Sequence, residues 1–458
     1  MNKMNPYLFV TVCISATCGL LFGFDTSIIA GASPFIQSEF TASNFQLEMV
    51  VSACVLGALF GALLCGKLSD NLGRKKVLVI TGLIFIVGTI VAAIAHTIEY
   101  LIIGRFILGF AVGMGSFATP MFIAEIAPAS SRGKLVLWNG AFLTGGQVLA
   151  FLVDYALTES GSWRWMIFSG IIPALILTLG MLVMPESPKW LLTKGKDQLA
   201  LDILEKIRGN KSMAEHELSL IRSTLNVNKA KFRELFSKKL RPVLFIGLLL
   251  GIFQQFMGIN TVMYYGPHIM KQIGFSDSAT QMFGTLGLGI ANFVFTLVTL
   301  MLIDRLGRRK FLLIGSMIAA LSLFTMVFLL SGPISGATAY LALFCLVTYI
   351  IGYCISVGSL FWLMISEIFP LHARGTCMSF VVAVQWGANF LVAASFLTIL
   401  HALGIAATFS MYGTIALIVF VYVYLKVPET KDVSLELIEL NLEKGVPTRL
   451  LGQKIYKL

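Results

Sequence analysis

The chain has 458 residues, of which 57% are hydrophobic and only 12% are charged. Soluble globular proteins carry about 25% charged residues, so this chain has too few charges to cover the surface of a soluble fold of its size. A transmembrane β-barrel is excluded too, because its strands alternate polar and apolar residues and contain no long apolar runs. The remaining class is an α-helical protein that crosses the membrane repeatedly.

Twelve apolar segments are long enough to cross a bilayer as helices, for which about 20 residues suffice. The first is too long for the apolar region of a signal peptide, so we expect it to remain as an uncleaved helix. The sequence therefore predicts an all-α, polytopic fold with twelve transmembrane helices, at 7–34, 48–66, 77–96, 101–124, 135–156, 165–184, 243–266, 279–303, 311–331, 338–364, 376–400 and 404–425.

The basic residues lie almost entirely on one side of these segments. Of the 34 Lys and Arg residues, 31 fall in alternate connecting regions or near the termini, and Arg164 and Lys271 are the two in the opposite loops. Because cytoplasmic loops are enriched in Lys and Arg, both termini are predicted to be cytoplasmic. The formal net charge of +11 is thus first a topology signal. Nucleic-acid binding is disfavoured, because no basic face is interleaved with exposed aromatic residues.

Three motifs occur twice, at nearly the same spacing. They are DNLGRKK (70–76) and DRLGRRK (304–310), EIAPASSRG (125–133) and EIFPLHARG (367–375), and PES (185–187) and PET (428–430). They predict two homologous six-helix halves, which suits a transporter whose substrate binds near the bilayer midplane between its repeats. The predicted parts are the N-terminal half (1–184), a cytoplasmic linker with short helices (185–242), the C-terminal half (243–425) and a cytoplasmic tail (426–458).

The charged residues of these motifs are candidate gating groups. Each Asp-x-x-Gly-Arg sequence predicts a tight glycine turn between two spans, and Glu125 with Arg132, or Glu367 with Arg374, could pair across helix ends. Such pairs would hold the cytoplasmic face closed in one state. The alternative is solvated surface charge of little energetic consequence. The candidates are Asp70, Arg74, Glu125, Arg132, Asp304, Arg308, Glu367 and Arg374.

Two ionisable residues inside the spans are candidates for proton coupling. Asp25 lies within the first span and Arg105 within the fourth, and charged residues at membrane depth are functional candidates by default. Burial opposes ionisation of a carboxyl group and a neighbouring guanidinium favours it. A carboxyl balanced between these effects can gain a proton in one conformation and lose it in another. The alternative is a static buried ion pair.

The seventh span contains the polar residues Gln254, Gln255, Asn260 and Tyr264. Amide and phenol groups suit a neutral polyhydroxylated ligand, because each ligand hydroxyl is both donor and acceptor. Gly258 could break this helix and re-aim one half, as happens in discontinuous transporter helices. The alternative role for these side chains is hydrogen bonding between helices.

Taken in order, these motifs resemble the sugar porter branch of the major facilitator superfamily. The resemblance extends from GLLFGFD (19–25) to PETK (428–431) and includes PESPKW (185–190). It implies a monomer that transports sugar. It also implies proton coupling, because the proton-coupled members of the family have an Asp at the position of Asp25. The implied substrate-binding residues are Gln254, Gln255, Asn260, Tyr264, Asn292, Gly358, Trp362, Gln385 and Trp386, with Gln147 and Phe22 as further candidates and Tyr265, Trp138 and Asn389 less certain in role.

One departure from the family pattern bears on the substrate. Many hexose and pentose porters have a Gln where this chain has Gly140. Its surroundings, NGAFLTGGQ (139–147), look more like proton-coupled inositol transporters. We therefore expect import of a neutral sugar or cyclic polyol, with a lean towards myo-inositol over a pentose or hexose.

Three other functions remain as alternatives. A facilitative uniporter for xylose or glucose is the nearest, and a transporter-like nutrient sensor is disfavoured by the short tail. An enzyme is disfavoured because the five His residues are scattered and no nucleophile, base or metal spacing is present. We expect no cofactor and no metal; the partners are the small neutral substrate, protons and the lipid bilayer. The short tails favour a bacterial inner membrane.

Overall fold

The computed structural model describes residues 5–128, 131–224, 232–332, 336–370 and 373–453, without the side chains at 134, 137, 224, 304, 435 and 436. The described part consists of helices joined by turns and contains no β-strand. Twelve of its helices, some of them kinked, are long and apolar enough to cross a membrane. The predicted all-α, twelve-span architecture is therefore confirmed.

The chain divides into two compact units. The first comprises Met1–Ala42 and Met49–Val227, and the second comprises Ser43–Glu48 and Asn228–Leu458. The described helices up to the end of the first unit are α1 (Pro6–Glu39), α2 (Asn44–Leu72), α3 (Arg74–Ala93), α4 (Ile98–Ile126), α5 (Arg132–Leu157), α6 (Trp163–Phe168), α7 (Ile171–Val183), α8 (Pro188–Thr193), α9 (Asp197–Arg208) and α10 (Lys211–Thr224).

The second unit has a similar helical content. Its described α-helices are α11 (Arg241–Phe256), α12 (Ile259–Tyr264), α13 (Gly266–Gln272), α14 (Ser278–Leu306), α15 (Arg308–Leu330), α16 (Gly336–Tyr353), α17 (Ser359–Ile368), α18 (Arg374–Ala393), α19 (Phe396–Lys426) and α20 (Leu435–Glu443). A π-helical segment at Cys354–Gly358 joins α16 to α17.

Large apolar side chains are exposed along the spans of both units. Leu179 is 61% exposed, Val183 73% and Phe328 80%. Contiguous apolar surface on this scale would be a liability in water. It is the surface expected of helices that face lipid.

The predicted glycine turns join α2 to α3 and α14 to α15. Gly73 and Gly307 have φ angles of 97° and 93°, which L-residues with a side chain rarely adopt. A Cβ on Gly73 would lie 2.2 Å from Glu186 Oε2, and one on Gly307 would lie 2.7 Å from Glu429 Oε2. Glycine is therefore required at both turns by backbone conformation and by the approach of a glutamate.

Helices α1 and α5 pack at backbone contact distance. A Cβ on Gly23 would lie 1.8 Å from the carbonyl oxygen of Leu143, and one on Gly146 would lie 2.1 Å from that of Leu20. In lipid no hydrophobic driving force holds helices together, and small residues at such crossings allow the close van der Waals packing that does. We call α1 and α5 the close pair.

Two spans of the second unit are interrupted. The seventh is broken at Gly258, whose φ of 87° separates α11 from α12, and again before α13. The tenth is broken at the π-helical segment, where Ser356 has φ −111° and ψ −125°. The sequence predicted the break at Gly258 but gave no warning of the one at Ser356.

The short helices α8, α9 and α10 follow the first six spans in the sequence and precede the seventh. They share a small apolar core in which Leu191, Leu192 and Ala200 are buried. Arg208 pairs with Glu217 at 2.6 Å and donates to the carbonyl oxygen of Ile126 at the end of α4. These contacts fix the segment to the first unit at the end that carries the Gly73 turn.

Candidate functional site

The first unit contains a buried ion pair between α1 and α4. Arg105 Nη1 lies 2.7 Å from Asp25 Oδ1 and also donates to the Asp25 carbonyl oxygen at 3.2 Å. The thiol of Cys54, on α2, donates to Asp25 Oδ2 at 3.0 Å. Asp25 and Arg105 are 3% and 1% exposed. Both carboxylate oxygens are therefore engaged, one by a cation and one by a neutral donor.

The other candidates of the first unit lie on the close pair α1 and α5. Gln147 is buried and Phe22 is half-buried. A Cβ on Gly140 would meet no atom within 4 Å, so the space left by the missing side chain is open. Trp138 is instead 37% exposed and packs edge-on against Phe9 at 5.6 Å.

In the second unit six neutral polar residues form one hydrogen-bonded chain, which we call the polar network. Gln385 and Gln255 both donate to Gln254 Oε1, at 3.1 and 3.2 Å. Asn260 donates to Gln255 Oε1 at 2.6 Å and to Asn389 at 3.2 Å. The network ends where the Asn389 amide donates to the hydroxyl of Tyr264 at 3.4 Å.

The break at Gly258 is what brings the network together. On an uninterrupted helix Gln254 and Asn260 would not share a face. The left-handed residue between α11 and α12 turns Asn260 back so that Gln255 bridges it to Gln254. Four of the predicted site residues of the seventh span are therefore joined with Gln385 and Asn389 of α18.

The break in the tenth span supplies acceptors for the same network. Gln254 Nε2 donates to the carbonyl oxygens of Val357 and Gly358, at 3.2 and 3.1 Å. Carbonyls released from the regular helical pattern need another partner when buried. Gly358 thus takes part through its backbone.

One network atom has no protein partner in the described residues. Gln385 Oε1 is buried and accepts no hydrogen bond. Nearly all buried polar groups are satisfied, so an orphan of this kind calls for an explanation such as a ligand or water. We note that it belongs to a residue placed among the substrate candidates by sequence.

The remaining candidates of the second unit lie beside the polar network rather than in it. Asn292, on α14, accepts a hydrogen bond from the thiol of Cys354 at 2.9 Å. Trp386 is buried, whereas Trp362 is 43% exposed and packs edge-on against Phe361 at 5.1 Å. Tyr265 donates to the carbonyl oxygen of Ala393 at 3.0 Å, which is a bond between helices.

The repeated charged motifs form the same arrangement in each unit. Arg74 Nε lies 2.9 Å from Glu125 Oε2, and Ser187 donates to that carboxylate. Arg308 Nη2 lies 3.0 Å from Glu367 Oε1, and Thr430 donates to that carboxylate. Each ion pair therefore links the start of one span to the end of another within its own unit.

This arrangement corrects the predicted partners of the two glutamates. Glu125 pairs with Arg74 rather than Arg132, because the turn at Gly73 places Arg74 at the start of α3, beside the end of α4. Arg132 begins α5 and is exposed.

In the second unit Glu367 likewise pairs with Arg308 and not with Arg374, whose guanidinium faces the carbonyl oxygen of Phe369. Asp70 lies 3.4 Å from Arg74 and is largely exposed. The side chain of Asp304 lies outside the described part of the chain.

Each unit has a further glutamate that accepts hydrogen bonds from the first backbone amides of a helix, Glu186 at α3 and Glu429 at α15. Glu186 Oε1 accepts from the backbone N–H groups of Arg74 and Lys75, at 2.9 and 3.0 Å. Glu429 accepts from those of Arg308 and Arg309, at 2.9 and 3.1 Å. These N–H groups have no partner inside their own helices. Burial raises the pKa of Glu186 although the three backbone N–H groups bonded to it oppose that rise.

We expect Glu186→Ala to destabilise the protein much more than Glu186→Gln. Alanine leaves the partly buried N–H groups of Arg74, Lys75 and Ser187 without this acceptor, at a cost of about 1–3 kcal/mol, whereas glutamine keeps the acceptor and removes a charge that burial already disfavours. The measurement is the apparent melting temperature of the detergent-purified protein.

The repeat supplies a matched pair, since Glu429→Ala and Glu429→Gln should rank in the same order. The exposed Glu215 of α10 serves as control, and its replacement by Ala should be neutral. Equal losses for Ala and Gln at both glutamates would show that the charge, and not the acceptor, holds the helix ends.

The described residues contain no group of three or more His, Cys, Asp or Glu side chains placed to hold a metal ion. The buried ionisable and thiol groups within the spans include Asp25 with Arg105 and Cys54, and Asp154. Sequence reasoning overlooked two of them, Cys54 beside Asp25 and Asp154 on α5. Asp154 was open to detection as an acid inside a predicted span, whereas Cys54 carried no such signal.

Comparison with known proteins gives consistent matches along the whole chain. The family model described as "Sugar (and other) transporter" matches residues 11–442. The galactose-proton symporter of Escherichia coli K12 is 39% identical, with 98% of each chain covered. The arabinose-proton symporter of the same strain is 36% identical, covering 98% of this chain and 96% of that one.

A solved structure is similar over nearly the same length. An inward-open structure of the xylose transporter of Escherichia coli has a TM-score of 0.82 at 30% identity, with 96% of this chain and all of that chain covered. Together with the family model and the relatives, it confirms the resemblance to the sugar porters stated from the motifs, whereas the likeness to inositol transporters is not shown.

Proposed function

The chain belongs to the sugar transporter family, and from that premise we propose that it imports a neutral sugar or cyclic polyol together with a proton, by alternating access. The observation that carries the proposal is the Asp25–Arg105 ion pair, buried at membrane depth in a relative of two proton symporters. A charge pair so placed is costly and marks ion or proton pathways.

Proton coupling follows from how the Asp25 carboxylate is held. Arg105 occupies Oδ1, so an arriving proton binds Oδ2, where it displaces the donated hydrogen of Cys54. Neutral Asp25 no longer attracts the guanidinium, and breaking a buried pair from one side costs about 3–5 kcal/mol. Protonation therefore changes which conformation is more stable, and the cycle that carries sugar carries the proton with it.

The polar network supports a neutral, hydroxyl-rich substrate. Its side chains are amides and a phenol, and no charged residue takes part in its hydrogen bonds among the described residues. Amides offer a donor and an acceptor to the same hydroxyl group. The buried, unpartnered Gln385 Oε1 is the acceptor we assign to a substrate hydroxyl.

The choice between a monosaccharide and a cyclic polyol turns on Gly140. The relatives are named for galactose and arabinose, which favours a monosaccharide. The open space at Gly140 favours a bulkier ring substituent than porters with Gln accept, which is why myo-inositol remains the second candidate.

The experiment is uptake into reconstituted vesicles with an imposed inward proton gradient. Labelled galactose, arabinose, xylose, glucose and myo-inositol are compared, each with and without a protonophore. We expect at least one to accumulate above its external concentration and to leak out when the protonophore is added. Accumulation of none, with downhill equilibration of some, would instead establish the facilitative uniporter. Transport of none would favour the nutrient sensor.

We propose that the Arg74–Glu125 and Arg308–Glu367 pairs are gating elements, each fastening two spans of its own unit. Together with the neighbouring Ser187 and Thr430 they let the spans of a unit move as one body. We further propose that the ends bearing these pairs are cytoplasmic, as are both termini, and that the transporter works as a monomer in the cell membrane.

A further inference from the structure

A second acid lies inside the first unit, apart from the Asp25–Arg105 pair. Asp154 belongs to the fifth span, Trp138–Leu157, and its side chain is fully buried. Its Oδ2 accepts the backbone N–H of Gly31, on α1, at 3.0 Å. Its Oδ1 is buried and has no hydrogen-bond partner among the described residues.

The carboxyl group is enclosed by a close contact between α1 and α5. A Cβ on Gly31 would lie 2.3 Å from Asp154 Cγ, so the glycine makes the space that the carboxyl fills. The same two helices touch at backbone distance two turns away, where Gly23 meets Leu143. The group is therefore held in a fully buried position between two helices that cannot come apart locally without losing this packing.

Among the described side chains of the first unit, no cation is hydrogen-bonded or ion-paired to Asp154. Arg105 is bound to Asp25, and Arg164 is bound to Glu39. The titratable or charged residues on α5 and on the helices packed against it are Tyr7, Cys13, Cys18, Asp25 and Glu39 of α1, Glu99, Tyr100, Arg105 and Glu125 of α4, Arg164 of α6, and Arg132, Lys134 and Tyr155 of α5 itself. Of those whose side chains are described, none is hydrogen-bonded or ion-paired to Asp154.

The two protonation states differ sharply in cost. An ionised carboxylate here would have one backbone N–H for a partner, and an uncompensated buried charge costs several kcal/mol. A neutral carboxylic acid keeps the bond to Gly31 through Oδ2 and leaves one hydroxyl unpaired on Oδ1, at about 1–3 kcal/mol. The neutral acid is thus the form of lower free energy at this site.

We propose that Asp154 is a second proton-binding group of this transporter, a carboxylic acid that carries its proton on Oδ1 and joins α5 to α1 through Gly31. The proton is transferred from a hydronium ion: one O–H bond of hydronium breaks, one O–H bond forms at Oδ1, and a water molecule is left. This site is distinct from the coupling proton at Asp25 and goes beyond the proposed function. In alkaline solution Asp154 would lose this proton and become negatively charged between two tightly packed helices. The charge would destabilise the packing of α5 against α1 and so slow transport.

The first test removes the titration of Asp25 from the measurement. Sugar counterflow is measured in Asp25→Asn and in the double variant Asp25→Asn/Asp154→Asn, from about pH 6 to about pH 10. A single titrating group can change activity by up to about tenfold per pH unit. We expect counterflow of the single variant to fall by about tenfold or more towards high pH, while the double variant stays within about twofold. Identical pH profiles would overturn the proposal.

The two proposals fail in different ways in this experiment. If Asp25 is not the coupling group, Asp25→Asn still accumulates sugar under a proton gradient, whatever the counterflow profiles show. Asparagine at 154 keeps an acceptor oxygen for the Gly31 N–H, so the variant should fold. Melting temperature and monodispersity of the purified protein verify this before transport is measured.

A second test measures protonation directly, and its negative outcome needs only the wild-type chain. Infrared spectra at neutral pH are recorded on protein labelled with ¹³C in the aspartate carboxyl groups. We expect a carbonyl band of a protonated carboxylic acid that shifts with the label and is lost in Asp154→Asn. Absence of any label-sensitive band in the wild-type protein would overturn the proposal even if no variant folds.

Discussion

Replacing Asp25 with Asn is expected to abolish uphill uptake while sugar exchange across the membrane continues. Asparagine matches the shape of the side chain: its carbonyl oxygen can accept from the guanidinium of Arg105 and its NH2 group can donate to the sulfur of Cys54, but it cannot take up or release a proton. One proton moving down 100 mV supplies about 2.3 kcal/mol, which is about fiftyfold accumulation. Vesicle uptake should therefore fall from tens of times the external concentration to equality with it.

The control for this variant is exchange of labelled for unlabelled sugar, which needs no net proton movement. We expect exchange within a few-fold of the wild-type rate. A second variant, Asp25→Ala, leaves Arg105 buried without its carboxylate, at about 3–5 kcal/mol, and should reduce the yield of folded protein. Wild-type accumulation by Asp25→Asn would contradict proton coupling at this residue and would transfer the role to another group.

Most of the fold was open to prediction because a bilayer limits the choices. Apolar runs of the right length must be helices, since every backbone polar group has to be satisfied internally. The repeated motifs located the two glycine turns, where Gly73 and Gly307 do have positive φ. These are local features, and local sequence specifies them.

The errors and omissions concern contacts made by residues far apart in sequence. Glu125 was paired with Arg132, which is near in sequence, whereas its partner Arg74 is brought to it by the packing of α3 on α4. The π-helical break at Ser356 has no proline or positive-φ glycine to announce it, yet it frees the carbonyls to which Gln254 donates. Asp154 is visible in the sequence as an acid inside a span, but its enclosure by Gly31 of another helix is not.

The second large effect is expected at Gln254, the residue through which the polar network connects to the broken tenth span. Its amide donates to two carbonyl oxygens, and its Oε1 accepts from both Gln255 and Gln385. Gln254→Ala would leave these groups unpaired and unoriented. Losing buried partners costs about 1–3 kcal/mol, so we expect the apparent affinity for sugar to fall by about 5- to 150-fold.

The measurement is sugar affinity, obtained from the concentration dependence of counterflow and from binding to the purified protein. Gln281 provides the matched control, because it is also a buried glutamine of the second unit and donates to a backbone carbonyl, that of Phe275 at 2.7 Å. Gln281→Ala should lower the melting temperature without changing the affinity. If both variants lose stability and neither loses affinity, the polar network holds the helices together and the substrate binds elsewhere. Loss of affinity confined to Gln254→Ala assigns the network to the substrate, because the two glutamines share burial and bond type and differ in what surrounds them.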